Sequence, residues 1–387
     1  MILKTDCKYF PGNKPCIHSK NEKIICSDCN YYEPVQNKIL IIKLDATGDV
    51  LRTTSLLPAL KEKYPASYIT WVTRKNAEEI FRNNKLVDEV LIFEDNGTLP
   101  RLLVEKFDLL IHPDASPVSA SLASVVMAKE KKGYILDEFG KIQPVNEDAV
   151  EWLEMGAFDQ FKKENKKTYQ QIIHEICRLD YKRDEIQLIL SEKEIEFKKK
   201  FYNENRLDRF DIILGLNTGA GNRWQYKQWG LDRYVELIEM MKAQSNTGIL
   251  LYGGPEEKER NDFLKNKFPF LIDTGTGNNL REFFALLDLS DIVLTGDTMA
   301  LHAATALKKQ VICLFGPTSY NEIEDYGRIA KIIPQHDCLI CYKPRCDFKV
   351  TCMGEIKAET VYESIMNIHR TLLNDKNFSA NKMSVNK

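Results

Sequence analysis

The chain contains no apolar run approaching the roughly 18 residues that a membrane-spanning helix needs. Its first residues, MILKTDCKYFPGNKPC, lack the apolar core of a secretory signal peptide. A cytoplasmic protein is expected on both counts. Short basic runs such as Lys162-Lys163 and Lys198-Lys199-Lys200 read as solvated faces, with peripheral attraction to anionic lipid on the inner membrane face as the alternative. A dominant charge is missing too. The net value is -2 over 387 residues, which gives no footprint for nucleic acid. There is no G-x-G-x-x-G, so a dinucleotide cofactor has little support, and no G-x-x-x-x-G-K-[ST], which argues against a P-loop nucleotidase. No D-x-D triplet is present to hold a divalent ion. What remains is a soluble globular composition, 43% hydrophobic and 28% charged. Its length suits two domains of roughly 150 to 180 residues.

Strand and helix patterns alternate along two stretches. In the first, Lys38 to Leu44 reads as a buried strand, followed by the loop Asp45-Ala-Thr-Gly-Asp49 and a helix from Val50 to Lys63. Strands at Tyr68 to Val72, Glu89 to Phe93 and Asp108 to His112 follow, with a helix over Val118 to Met127. The second series has strands at Ile212 to Leu216, Gly248 to Tyr252, Leu271-Ile272, Ile292 to Leu294 and Val311 to Phe315, separated by helices. Such alternation argues for parallel sheets. The expected fold is α/β, with two Rossmann-like domains facing each other across a cleft. A cysteine-rich leader spans 1–37, the N-terminal domain 38–190 and the C-terminal domain 191–335. A cysteine-rich segment with a last helix covers 336–373, and a disordered tail 374–387.

The densest functional signal runs from Asp291 to Ser319, DIVLTGDTMALHAATALKKQVICLFGPTS. It is a strand–loop–helix–strand–loop unit with polar and glycine residues at the strands' carboxyl ends, where open α/β sheets bind ligands. A helix starting near Thr298 would aim its unpaired N–H groups at that edge, a ready anion site. Asp297 and Thr298 could equally be helix caps, and His302 a satisfied core histidine. Asp49 could cap its own helix or take a proton from a substrate hydroxyl. The loop Asn217-Thr-Gly-Ala-Gly-Asn222, with Thr218, Gly219, Arg223 and Lys227, could hold a diphosphate. Trp229 reads as a packing residue. Glu256, after Gly253-Gly254-Pro255, could bind ribose hydroxyls or serve as a first-turn helix acid.

Taken in order, KILIIKLDATGDVLRTTSLLPALKEKYP, GLNTGAGNRWQYKQW, LLYGGPEE and TGDTMALHAATALKKQVICLFGPT resemble glycosyltransferase family 9, the heptosyltransferase family, over about residues 38 to 330. The resemblance implies a GT-B fold, with acceptor mostly on the N-terminal domain and nucleotide-sugar on the C-terminal one. It implies an inverting transfer from a donor such as ADP-heptose to a lipopolysaccharide-core or related surface-glycan hydroxyl, without a catalytic metal. By position, Asp49 becomes the general base. Lys227 becomes the diphosphate partner, and Asp297, Thr298 and His302 line the donor site, with Thr218 and Gly219 as phosphate-loop contacts. Met299 stands where many members carry glycine and leaves the sugar open. A protein O-heptosyltransferase and a non-catalytic nucleotide-sugar-binding relative are the alternatives.

Eight of the ten cysteines cluster near the chain's ends, as Cys7, Cys16, Cys26 and Cys29 and as Cys338, Cys341, Cys346 and Cys352. In a reducing compartment, such spacing with CxxC steps favours metal over disulfides. A structural zinc is the default for tetrathiolate sites, with iron or an iron–sulfur cluster as the alternative. A branch related to the family resembled here carries a four-cysteine iron site, which keeps iron in play. Cys177 and Cys313 sit in apolar patterns and read as small buried hydrophobes.

Overall fold

The structure is a computed structural model describing residues 2–221, 226–336, 338–343 and 346–385, with side chains as far as 374. The chain forms two compact units. One comprises Met1–Asp45, Ser55–Glu154 and Ile172–Asp184; the other comprises Ala46–Thr54, Met155–Gln171 and Glu185–Lys387.

The first unit holds six strands: β1 (Asn37–Ile42), β2 (Ser67–Thr73), β3 (Glu89–Ile92), β4 (Lys106–His112), β5 (Met127–Leu136) and β6 (Ile142–Pro144). They lie in the order β3-β2-β1-β4-β5-β6, parallel except for the β5–β6 hairpin. Ile39 to Ile42 on β1 are wholly buried, as the uninterrupted apolar run of a strand covered on both faces requires. The patterns did not reveal β5, because MAKEKKGYIL begins as a charged run and is buried only at Lys132, Gly133 and Tyr134. The cysteine-rich leader packs onto this unit. A bridge pairs Cys7 with Pro34, and Lys8 reaches Asp88 at 3.2 Å.

The second unit carries β7 (Ile212–Asn217), β8 (Thr247–Tyr252), β9 (Ile272–Asp273), β10 (Ile292–Gly296), β11 (Gln310–Leu314) and β12 (Ile329–Ile332), all parallel. Their order, β12-β11-β10-β7-β8-β9, repeats that of the first sheet. This is the 3-2-1-4-5-6 arrangement of a dinucleotide-fold sheet, whose strand order reverses between its first and fourth strands, here β7 and β10. Leu214, Leu216, Leu251, Leu294 and Ile312 fill the core with Leu237, Ile238, Val361 and Ile365 from the covering helices. Burying each such side chain contributes about 1.5–3 kcal/mol. The last helix continues to Val385, past residue 374 where a disordered tail was expected. No glycine or proline interrupts the sequence there to stop it.

One ion pair is built into this core. Ser191 caps the helix Glu192–Glu204, and Glu194 returns the bond to the Ser191 amide at 2.7 Å. The same carboxylate accepts from Arg281 Nε at 2.9 Å, and Arg281 is only 2% exposed. The Arg281→Met variant leaves Glu194 buried without its cation. It should cost about 3 kcal/mol of stability, on the scale of a broken buried pair, measurable by denaturant unfolding; a loss under about 1 kcal/mol would show the pair to be dispensable.

Candidate functional site

The second sheet's order places its crevice at the carboxyl ends of β7 and β10. Asn217 closes β7, and its amide donates to Thr295 Oγ1 at 3.1 Å and to the Gly219 carbonyl at 3.2 Å. Beyond β10, Asp297 precedes Thr298, whose hydroxyl accepts from the Ala300 amide at 3.2 Å and caps the helix Met299–Ala306. Of the two residues the sequence allowed as cap, the fold uses Thr298 and leaves Asp297 for another task. Lys227 Nζ lies 2.8 Å from Asp297 Oδ2, and the Thr318 hydroxyl donates to the same oxygen at 2.7 Å. Burial works to raise the Asp297 pKa, but Lys227, His302 and these hydrogen bonds outweigh it and hold the carboxyl well below its usual range.

The helix Thr47–Thr53 belongs to this same unit, although it follows β1 in the chain. Gly48 is what lets it approach. A Cβ there would stand 2.9 Å from the His302 ring, so no larger residue fits without displacement. Asp49 lies in the first turn, within 3.4 Å of the Ala46 amide. The helix begins at Thr47, three residues earlier than the sequence predicted. Arg52, one turn on, pairs with Asp49 at 2.8 Å and lies over the Tyr169 ring at 3.7 Å. A single pocket is lined by Asp49, Arg52, Lys227, Asp297, His302 and Glu322. Burial, aided by the Arg52 cation, depresses His302 to about 4, so the ring is neutral at pH 7. Burial raises the Glu322 carboxyl against the pull of Arg52.

A second pocket adjoins along Thr298 and Met299, which line both. Gly219, Gly253, Gly254, Asn278 and Phe283 complete it. A Cβ on Gly219 would overlap the Glu257 carboxylate, so glycine is needed where the loop crosses that side chain. Two expected contacts are not in the pockets. Thr218 is 1% exposed, with its hydroxyl donating to Asn261 at 2.6 Å, so it braces the loop from within. Glu256 does not line either pocket, although its carboxylate lies 3.9 Å from a Cβ built on Gly221, which does; the neighbouring Glu257 lines the pocket and accepts from the Gly254 amide at 2.8 Å. Arg223 lies outside the described residues. Trp229 packs, as expected, donating to the Ile356 carbonyl at 2.9 Å.

Each cysteine quartet lines a pocket of its own. Cys7, Cys16, Cys26 and Cys29 share one with Tyr9 and Tyr31 in the first unit. Cys338, Cys341, Cys346 and Cys352 share another with Tyr226 and Pro317 in the second. All are free thiols. Among the described residues no three His, Cys, Asp or Glu side chains stand close enough to hold a metal. Cys177 and Cys313 are buried, and burial pushes the Cys177 thiol up to about 12, as inert core thiols should be.

Arg52, Thr318, Glu322 and Tyr342 are among the pocket residues that escaped the sequence reading. Arg52 and Thr318 lie inside the quoted motifs, three residues after Asp49 and two after Gly316, and could have been found there. Glu322 and Tyr342 carry no local signal; only the fold brings them in. The assembled groups offer a carboxylate for proton transfer, cations and a helix N-terminus for an anion, and a neutral imidazole.

Comparison with known proteins points the same way. The profile of glycosyltransferase family 9 (heptosyltransferase) matches residues 99–351, a span that begins after Asp49. A lipooligosaccharide heptosyltransferase 2 from Haemophilus influenzae is 24% identical over 313 residues, covering 73% of this chain and 84% of the relative. One from Campylobacter jejuni is 29% identical over 185 residues, 44% of this chain and little more than half, 56%, of that protein. The solved E. coli ADP-heptose lps heptosyltransferase II superposes with a TM-score of 0.62 at 17% identity, covering 88% of this chain and 99% of its own. That likeness shows the fold, two Rossmann-like domains of the GT-B class.

His302 gives the site a measurable signature. Its folded pKa near 4 lies below the ordinary 6.5, so between those values the unfolded chain binds a proton that the native ring refuses. Stability should therefore fall as pH drops from 6.5 to 4, by about 3 kcal/mol in total, and be indifferent to this group above 6.5. His112, depressed to about 4 by burial in the first unit, adds its own slope. The test is thus the difference between the wild type and His302→Asn. Parallel pH–stability curves for the two would refute the assignment.

Proposed function

The chain belongs to glycosyltransferase family 9 (heptosyltransferase), and from that premise we propose that it is an inverting enzyme moving a heptose-like sugar from ADP-heptose to a hydroxyl of a lipopolysaccharide-core or related surface-glycan acceptor. The observation that carries this reading is the single pocket in which the Asp49 carboxylate, the Lys227 and Arg52 cations and the start of the Met299–Ala306 helix converge.

In this reading Asp49 removes the acceptor hydroxyl's proton. The oxygen attacks the anomeric carbon on the face opposite the diphosphate, the bond from carbon to diphosphate oxygen breaks, and ADP departs. Arg52, bound to Asp49 at 2.8 Å, fixes the direction of that carboxylate. Charge growing on the departing diphosphate meets Lys227, aimed by Asp297, and the positive end of the helix dipole. These cations take the task that a D-x-D-bound ion performs elsewhere, so the reaction as proposed requires no catalytic metal. Gly219, with Thr298 and Met299, lines the adjoining pocket that would take the rest of the donor.

We further propose that both cysteine quartets hold structural zinc or iron. Each supplies four soft thiol donors lining one pocket, a donor set that suits such ions once drawn together, and a bound ion would cross-link its loop. The protein is proposed to work in the cytoplasm, meeting its acceptor at the inner membrane face. No described helix is long and apolar enough to cross a membrane.

Turnover of purified protein with ADP-heptose and truncated-core lipopolysaccharide, read as ADP release, tests the function. Asp49→Asn should lower turnover by about 10²–10⁴-fold while leaving donor affinity nearly intact; full activity would remove Asp49 from its role. Lys227→Ala should weaken ADP-heptose binding by about 10- to 100-fold, the worth of a charge-assisted hydrogen bond. Unchanged affinity would count against the diphosphate contact.

A further inference from the structure

The C-terminal cysteine loop is joined to the pocket by one side chain. Tyr342 follows Cys341 directly and lines the pocket that holds Asp49 and Asp297. That hydroxyl donates to Glu322 Oε1 at 3.1 Å and accepts the Ser319 amide at 3.1 Å. Its own backbone amide donates to the Pro317 carbonyl at 2.9 Å, and Ile340 reaches the Gly316 carbonyl at 3.5 Å. Thus every residue from Gly316 to Ser319 except Thr318 is touched by the cysteine loop or packed on it, and Thr318 is the one that donates to Asp297. Gly316 has no room for a side chain, since a Cβ there would lie 2.7 Å from Cys352 Sγ.

The backbone on either side of Cys341 is costly to hold. Ile340 and Tyr342 both sit at positive φ, 58° and 48°, a region that branched and bulky residues avoid. Such conformations persist only where the surroundings over-determine them, and they gather at functional sites. Here the surroundings are the four thiols on one side and the Gly316–Ser319 segment on the other. The thiol pocket also includes Tyr226, next to Lys227, so both residues that bind the Asp297 carboxylate adjoin a residue lining the cysteine pocket.

We infer that Tyr342 is a positioning residue of the transfer site, delivered by the cysteine loop to hold Glu322 and the Ser319 amide, and through that segment Thr318 on Asp297. The inference rests on the proposed transfer reaction for its kinetic consequence and on the hydrogen bonds alone for its structural one. The loop's thiols therefore act on turnover without touching substrate. A side chain of this kind should affect the chemical step more than donor capture, because Lys227 keeps its own 2.8 Å contact with Asp297 and the helix start is untouched.

The test uses full-length Tyr342→Phe and Cys341→Ser, with two readouts. In the ADP-release assay with ADP-heptose and truncated-core lipopolysaccharide, Tyr342→Phe should lower kcat by about tenfold and change the ADP-heptose KM by less than about twofold. Amide hydrogen exchange over the peptide carrying Ser319 should quicken by about tenfold or more in both variants, since each removes or loosens that amide's acceptor. A kcat within twofold of the wild type, or kcat and KM impaired together, overturns the positioning role. Unchanged exchange at Ser319 overturns it independently. If the wild type releases no ADP, the proposed reaction fails, and the exchange readout still decides the role of Tyr342.

Discussion

The Asp297 carboxylate organises the site. It lies just past the end of β10, partly shielded from water, and two strong partners keep it charged: the Lys227 ammonium at 2.8 Å and the Thr318 hydroxyl at 2.7 Å. Those partners come from separate loops, one after β7 and one after β11. Holding Asp297 therefore ties three strand ends together and aims a lysine along the opening of a helix. The pull of Lys227 that keeps the carboxyl low is the same field that a diphosphate would meet. A charge partly withdrawn from water costs stability unless it is satisfied, so the loops have little freedom to move apart.

The second constraint is steric. The helix Thr47–Thr53 follows a strand of the first sheet yet packs within the second unit, because Gly48 allows its backbone against the His302 ring. That contact is what sets Asp49 and Arg52 in the same pocket as Lys227 and Asp297. A chain of two similar sheets can thus build a pocket from one unit. The other unit contributes the chain connection that delivers the helix. The C-terminal cysteine segment repeats the device from the far end of the sequence, delivering Tyr342 to the same pocket.

Much of this was legible in the sequence, for identifiable reasons. The parallel sheets showed because strands buried on both faces are written as continuous apolar runs, as in Ile39 to Ile42 and Ile292 to Leu294. The helix at Met299 showed because its cap and its glycine-bearing loop are local. Strand β5 did not, since charges fill its first half, and neither did the continuation of the last helix, where the only cue was the lack of breakers. Thr218 and Glu256 were credible by position along the chain. Which way a loop side chain turns depends on Asn261 and on Gly219's fit against Glu257, contacts from distant segments.

The sequence by itself determined the fold class, the family, and which polar residues stand at the carboxyl ends of the strands, because period, capping and loop chemistry are written in neighbouring residues. The tertiary structure alone decided that Thr298 caps while Asp297 binds Lys227, that Asp49 sits with Arg52 beside His302, and that Glu322 and Tyr342 join them. Those outcomes depend on contacts between residues as far apart as Gly48 and His302, and packing, unlike periodicity, leaves no mark in the residues on either side.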